Sequence, residues 1–180
     1  MGQIFAYEQR EKNLFGNKSV LAFGYGLFLF LVPLLPLNQF VVGAVVNALL
    51  IKSALEFSSK KIFLLSFIPS TAVVTGGILF GNLTPQILFM IPFIWAGNAL
   101  LMYLTREFHL NQKKSFLYST LLAGVGKTTL LLSVALILFS QNLVPLIFLT
   151  MFGIIQLVTS QAGAVLVYAS KKAQDAMHKN

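Results

Sequence analysis

The chain has 180 residues, 57% of them hydrophobic and only 10% charged, with a mean hydropathy of +0.81. A soluble domain carries about 25% charged residues, so this composition excludes a water-bathed globule and implies an all-α integral membrane protein. The net charge of +8 suits anionic lipid headgroups and membrane topology better than nucleic acid, and the absence of cysteine excludes disulfides, thiolate nucleophiles and thiolate metal sites.

The chain opens on "MGQIFAYEQREKN". This stretch is polar and charged, without the apolar core of a removable signal peptide. Ala6 stands where myristoylation needs Ser or Thr. Residues 1–18 are therefore read as a cytoplasmic N-terminal segment. No Asp, Glu, Lys or Arg occurs from Ser19 to Ile51 or from Ile62 to Thr105, and Lys127 is the one charge from Ser115 to Ser170. A spanning helix needs about 20 apolar residues, so each run must fold back on itself. "PLLPLNQ" (33–39), "GNLTPQ" (81–86) and "SQNLVP" (140–145) supply the turns. Six transmembrane helices follow, over roughly 19–36, 38–56, 62–80, 87–105, 115–139 and 144–170, in one domain of residues 19–170 with a cytoplasmic tail, 171–180.

The three turns contain no Lys or Arg. The other connections hold Lys52, Lys60, Lys61, Arg106, Lys113 and Lys114, and the tails hold Arg10, Lys12, Lys18, Lys171, Lys172 and Lys179. Twelve of the thirteen basic residues thus fall on one side. The positive-inside rule makes that side, and both termini, cytoplasmic.

"LLAGVGKTTLLL" (121–132) looks like a phosphate-binding loop. G-x-x-x-x-G-K-[ST] requires a first glycine at 121, where Leu121 stands, and such a loop opens a helix after a strand, not inside a long apolar run. The only Asp, Asp175, lies in the tail, so no strand-end Asp holds magnesium. No ATP site is expected. Lys127 instead lies about 18 Å into its helix at 1.5 Å per residue, where burying a charge costs on the order of 3 kcal/mol. The carboxylates Glu8, Glu11, Glu56, Glu107 and Asp175 all lie in tails or at cytoplasmic helix ends. Asn47, Asn98 and Gln156 fall at the depth of Lys127. Two readings stay open. Lys127 meets an anionic group of a ligand in a polar midplane pocket, or amides and carbonyls satisfy it and it only binds helices together.

Trp95, nine residues in from Gln86, is too deep for an interfacial belt and is read as a pocket residue that stacks on a ligand ring. Thr71, Thr75, Thr159 and Gln161 are further polar candidates. His109 and His178 lie in cytoplasmic segments and no metal-ligand spacing exists, so neither a metal nor a cofactor is expected. Ala22 and Gly26 have small-x-x-x-small spacing, which lets another helix approach closely; spacing alone favours packing inside the bundle.

With no carboxylate, Cys or His inside the membrane, catalysis and proton coupling lose their usual groups. The six-helix pattern, "VVGAVVNALL", "IPFIWAGNALLMYL", the lysine of the fifth helix and "FGIIQLVTSQAGAVL" resemble the substrate-binding S components of energy-coupling-factor (ECF) importers, over most of Val20–Ser170. The resemblance implies a binding subunit in the bacterial plasma membrane. It would capture a vitamin-like micronutrient and work with a transmembrane T component and two ATPases. It further implies docking through a helix-one A-x-x-x-A motif, here Ala22 and Gly26 with Gly replacing the second Ala, and lids at Pro33–Gln39 and Gly81–Gln86. The alternative is a small channel or an accessory subunit without a ligand pocket.

Overall fold

The computed structural model describes residues 18–77 and 81–177, and among these every regular element is helical. The expected N-terminal segment lies almost wholly outside the described residues, as do His178 and Lys179. Three helices are long and apolar enough to cross a membrane: Gln39–Glu56, Phe116–Ser140 and the pair that runs over Ile147–Met177.

Helix α1 (Lys18–Leu34) tightens into a 3-10 turn at Val32–Leu34, where Pro33 stands. Helix α2 (Gln39–Glu56) starts at Asn38, whose side chain accepts from the Phe40 amide at 2.8 Å and so satisfies one orphan donor of the first turn. Helix α3 (Ser59–Gly76) contains Pro69 and stops at Gly77, which adopts φ 63° and donates its N–H to Val73 O. Glycine takes that left-handed conformation without a Cβ clash.

A short α4 (Thr84–Ile87) precedes α5 (Ile91–Arg106), which runs into a single π turn at Glu107–Asn111. Then follow α6 (Phe116–Ser140), α7 (Ile147–Phe152) and α8 (Ile154–Met177).

Two expected helices are thus interrupted. The fourth, read as 87–105, breaks between Ile87 and Ile91, and the sixth, read as 144–170, breaks at Gly153. Helix α8 continues unbroken through residue 171 to Met177, so the expected tail starts as helix. Hydrophobicity reports the length of an apolar run, and an interruption by one to three apolar or small residues leaves that length unchanged.

Small residues set how closely the helices pack. A Cβ on Gly163 of α8 would lie 2.8 Å from Ala44 O and 2.7 Å from Ala48 N, so α8 rests directly on the α2 backbone. A Cβ on Gly43 of α2 would lie 2.9 Å from Thr159 Cγ2. This is the close approach that small residues allow between membrane helices. One apolar core gathers Leu29, Leu50, Ile51, Leu101 and Met102, and a second gathers Ile87, Met90, Leu131, Phe148 and Phe152.

The described basic residues other than Lys127 collect at one end of the bundle. Lys61 Nζ donates to Ser19 Oγ at 3.1 Å, which joins the starts of α3 and α1. Arg106 donates to Phe57 O at 2.6 Å, joining the ends of α5 and α2. Tyr25 meets Phe57 edge-on at 5.3 Å, and Phe116 stacks on Tyr168 at 6.3 Å, tying in α1, α6 and α8. Among the described basic residues only Lys127 lies away from this end. Phe23 of α1, 74% exposed, and Val20, 71% exposed, turn outward as lipid-facing residues would.

Candidate functional site

The stretch that resembles a phosphate-binding loop is continuous helix, and its glycines have packing roles. A Cβ on Gly124 would run into the Gln161 side chain and Ser160 of α8, and one on Gly126 would lie 2.9 Å from Leu104 of α5. Residues two apart on a helix point about 200° apart. The two glycines therefore let α8 and α5 close in from opposite sides. Lys127, one position on, lies about 17 Å along α6 from Phe116 and is 3% exposed.

Lys127 Nζ donates to Asn47 Oδ1 of α2 at 2.8 Å. Asn47 Nδ2 in turn donates to Thr159 Oγ1 of α8 at 3.2 Å, and the Thr159 hydroxyl donates to Ile155 O at 2.8 Å. The order is forced, because a lysine cannot accept a hydrogen bond. Asn47 must turn its oxygen to Lys127 and its nitrogen to Thr159. All three residues are at least 97% buried, and they link three helices by one polar chain. No carboxylate joins them; among the described residues the only ion pair is Lys52 with Glu56, at 4.0 Å. Asn47 accounts for one donor of the Lys127 amino group, which leaves at least one N–H without a protein acceptor among the described residues.

These residues form one wall of a cavity at the seam of the two cores. Asn98, Gln156, Ser70 and Gln39 supply its other polar groups; Val42, Val46, Val73, Ile87, Ile91, Ile94, Phe152 and Ile155 supply its apolar wall. Its volume is about 90 Å³. Asn98 Nδ2 donates to Ser66 O of α3 at 3.1 Å. Gln156 lies on the wall with its Oε1 buried and without a partner.

Of the residues expected at the site, Lys127, Asn47, Asn98 and Gln156 meet on this cavity and Trp95 does not. Trp95 packs against Phe67 at 4.9 Å, with a buried Nε1 that has no partner. Depth alone suggested a pocket, but depth does not say which way a helix is rotated. Thr159 is on the wall. Thr71 and Thr75 bond carbonyls of their own helix, and Gln161 reaches Thr120 O at 3.5 Å. Ser70 and Gln39 were missed, since single Ser and Gln residues in apolar runs give no spacing signal. Pro33 and Gln39, at the edges of the first expected lid, line the cavity; no residue of Gly81–Gln86 does.

The small-residue strip on α1 packs inside the chain. A Cβ on Gly26 would lie 3.2 Å from Ile68 and 3.6 Å from Leu65 of α3, and Ala22 packs against the first core. The close approach that Ala22 and Gly26 allow is thus used inside the chain, as their spacing alone favours. At the polar end, hydrogen bonds from Asn111, at 2.6 Å, and Gln112, at 3.2 Å, hold the Glu107 carboxyl below its usual range.

No family model matches the chain, and neither a curated protein nor a solved structure matches it.

Proposed function

We propose that the protein is a membrane-embedded substrate-binding subunit of the ECF S-component kind, a bundle of six membrane crossings with both termini in the cytoplasm. In this reading α4 with α5, and α7 with α8, are each one interrupted crossing. The single observation that carries the reading is the cavity at mid-bundle, where a buried lysine with no carboxylate partner lies beside an oriented amide. An intramembrane ionisable residue of this kind marks a ligand or ion path by default. The gathering of basic residues at one bundle end supports cytoplasmic placement of that end.

The binding subunit takes a small solute from outside and needs an energised partner to release it inward. That partner is a T component with two ATPases. Because Gly26 is packed against α3, docking would use the outward face of α1 that carries Val20, Phe23 and Gly24.

The reading is tested by purifying the tagged chain from its native membrane and identifying co-purifying proteins and small molecules by mass spectrometry. A stoichiometric small molecule together with a T component and ATPases supports it. A chain that carries no small molecule and no ATPase-linked partner favours an accessory subunit.

A further inference from the structure

We infer that the cavity takes a compact monocarboxylate, with its carboxylate at Lys127 and a short apolar body along the isoleucine and valine wall. This rests on the binding-subunit reading and names its substrate class.

Charge comes first. Among the described residues Lys127 is the only cation on the cavity wall, and no anionic side chain lines it. One charge in a low-dielectric site is balanced by one opposite charge. A phosphate monoester carries about −1.5 to −2 near neutral pH and would leave net negative charge buried. A carboxylate carries one. A cationic solute would face Lys127 with no counter-charge at all.

Size and polarity come next. The cavity of about 90 Å³ exceeds the roughly 10–15 Å³ that one water needs, so it has room for a compact solute. Most of its wall is aliphatic. The polar groups are few, and a solute with one charged head and an apolar remainder matches that division.

The broken helix adds an independent term. Gly153 donates to Leu149 O, and the ladder restarts with Leu157 N donating to Gly153 O. Helix α8 therefore begins anew at Ile154, and a new helix start leaves first-turn N–H groups without intrahelical partners, at the positive end of its dipole. Ile155 and Gln156 of that first turn line the same cavity as Lys127. The break therefore borders the cavity, with Phe152 at the end of α7 also on its wall. Asn47 is a positioning residue in this scheme: it fixes the Lys127 ammonium through one N–H and leaves the other two for the solute.

The test is equilibrium binding to the full chain in lipid nanodiscs, with 4-methylpentanoate as probe and 4-methylpentanamide as its neutral match. The acid should bind, and the amide should bind roughly ten- to a hundredfold more weakly. Lys127→Gln should remove most of that preference. Asn47→Asp gives a second variant that does not depend on losing the lysine. Its carboxylate sits where Asn47 Oδ1 now meets Nζ, so it should occupy Lys127 internally and abolish acid binding while the protein stays folded. Equal binding of acid and amide, or undiminished acid binding by Asn47→Asp, would overturn the monocarboxylate assignment. Identification of a neutral or cationic molecule co-purifying in stoichiometric amount would overturn it too, yet leave the binding-subunit reading standing. Binding of neither probe, with nothing co-purified, would sink both.

Discussion

Lys127 Nζ lies 2.8 Å from Asn47 Oδ1, a hydrogen bond between residues 80 positions apart that joins the middles of α6 and α2. It is the only described partner of a side chain that is 97% buried, so its loss leaves a strongly polar group stranded. Asn47→Leu should therefore destabilise the protein by about 1–3 kcal/mol. Adding Lys127→Met should recover most of that loss, because removing both partners removes the stranded group. Thermal unfolding of the two single variants and the double variant, in one detergent, measures the coupling directly.

The α2–α8 contact predicts a contrast between two glycines. A Cβ on Gly163 would press into the α2 backbone, whereas Gly24 has nothing within 4 Å of the same position. Gly163→Ala should cost about 1–3 kcal/mol, the range for overpacking a tight core. Gly24→Ala should cost nothing measurable. Equal unfolding temperatures for the two variants would contradict the packing described.

Gly153 sits at the break between α7 and α8, and a Cβ there would lie 2.5 Å from Leu149 O. Gly153→Ala should force the backbone to shift beside Phe152 and Ile155, on the cavity wall. Ligand retention should fall more than folded yield does. Nanodisc binding measured beside thermal stability separates the two effects.

Glu107 gives a pH prediction whose sign follows from its neighbours. Asn111 and Gln112 donate to its carboxylate, which lowers its folded-state pKa from the ordinary 4.5. The stabilisation is present above the ordinary pKa and is lost as pH falls through the lowered folded value. The π turn should loosen in acid, and Glu107→Gln should lose that dependence. Amide exchange at Asn111 and Gln112 across pH 3 to 7 is the readout, an interval of about four pH units chosen around the ordinary carboxylate value.

Much of the architecture was legible in the sequence because lipid makes simple demands. A charge-free run long enough for two crossings must contain a turn, and Pro33, Gly81 and Pro145 marked where. Asn47, Asn98, Gln156 and Lys127 could be assigned to one layer by counting residues at a fixed rise per residue. Counting gives depth but not rotation, which is why Trp95 was expected on the cavity and packs on Phe67. At Gly26 the small-residue spacing favoured packing inside the bundle, and there α3 closes in. The break at Met90 had a signal in Pro92, in the first turn of α5, but the break at Gly153 was illegible for another reason. Proline signals a break through its missing N–H, yet Pro69 sits inside a continuous α3, and Gly153 breaks a helix that contains no proline.

The central claim is that Lys127 holds a small solute inside the bundle. Mass spectrometry of small molecules retained by the purified wild-type chain and by Lys127→Ala, at equal folded yield, tests it most directly. The account predicts a stoichiometric compound in the wild type that is lost from the variant. The same compound retained equally by both would reduce Lys127 to a tie between helices and contradict the claim.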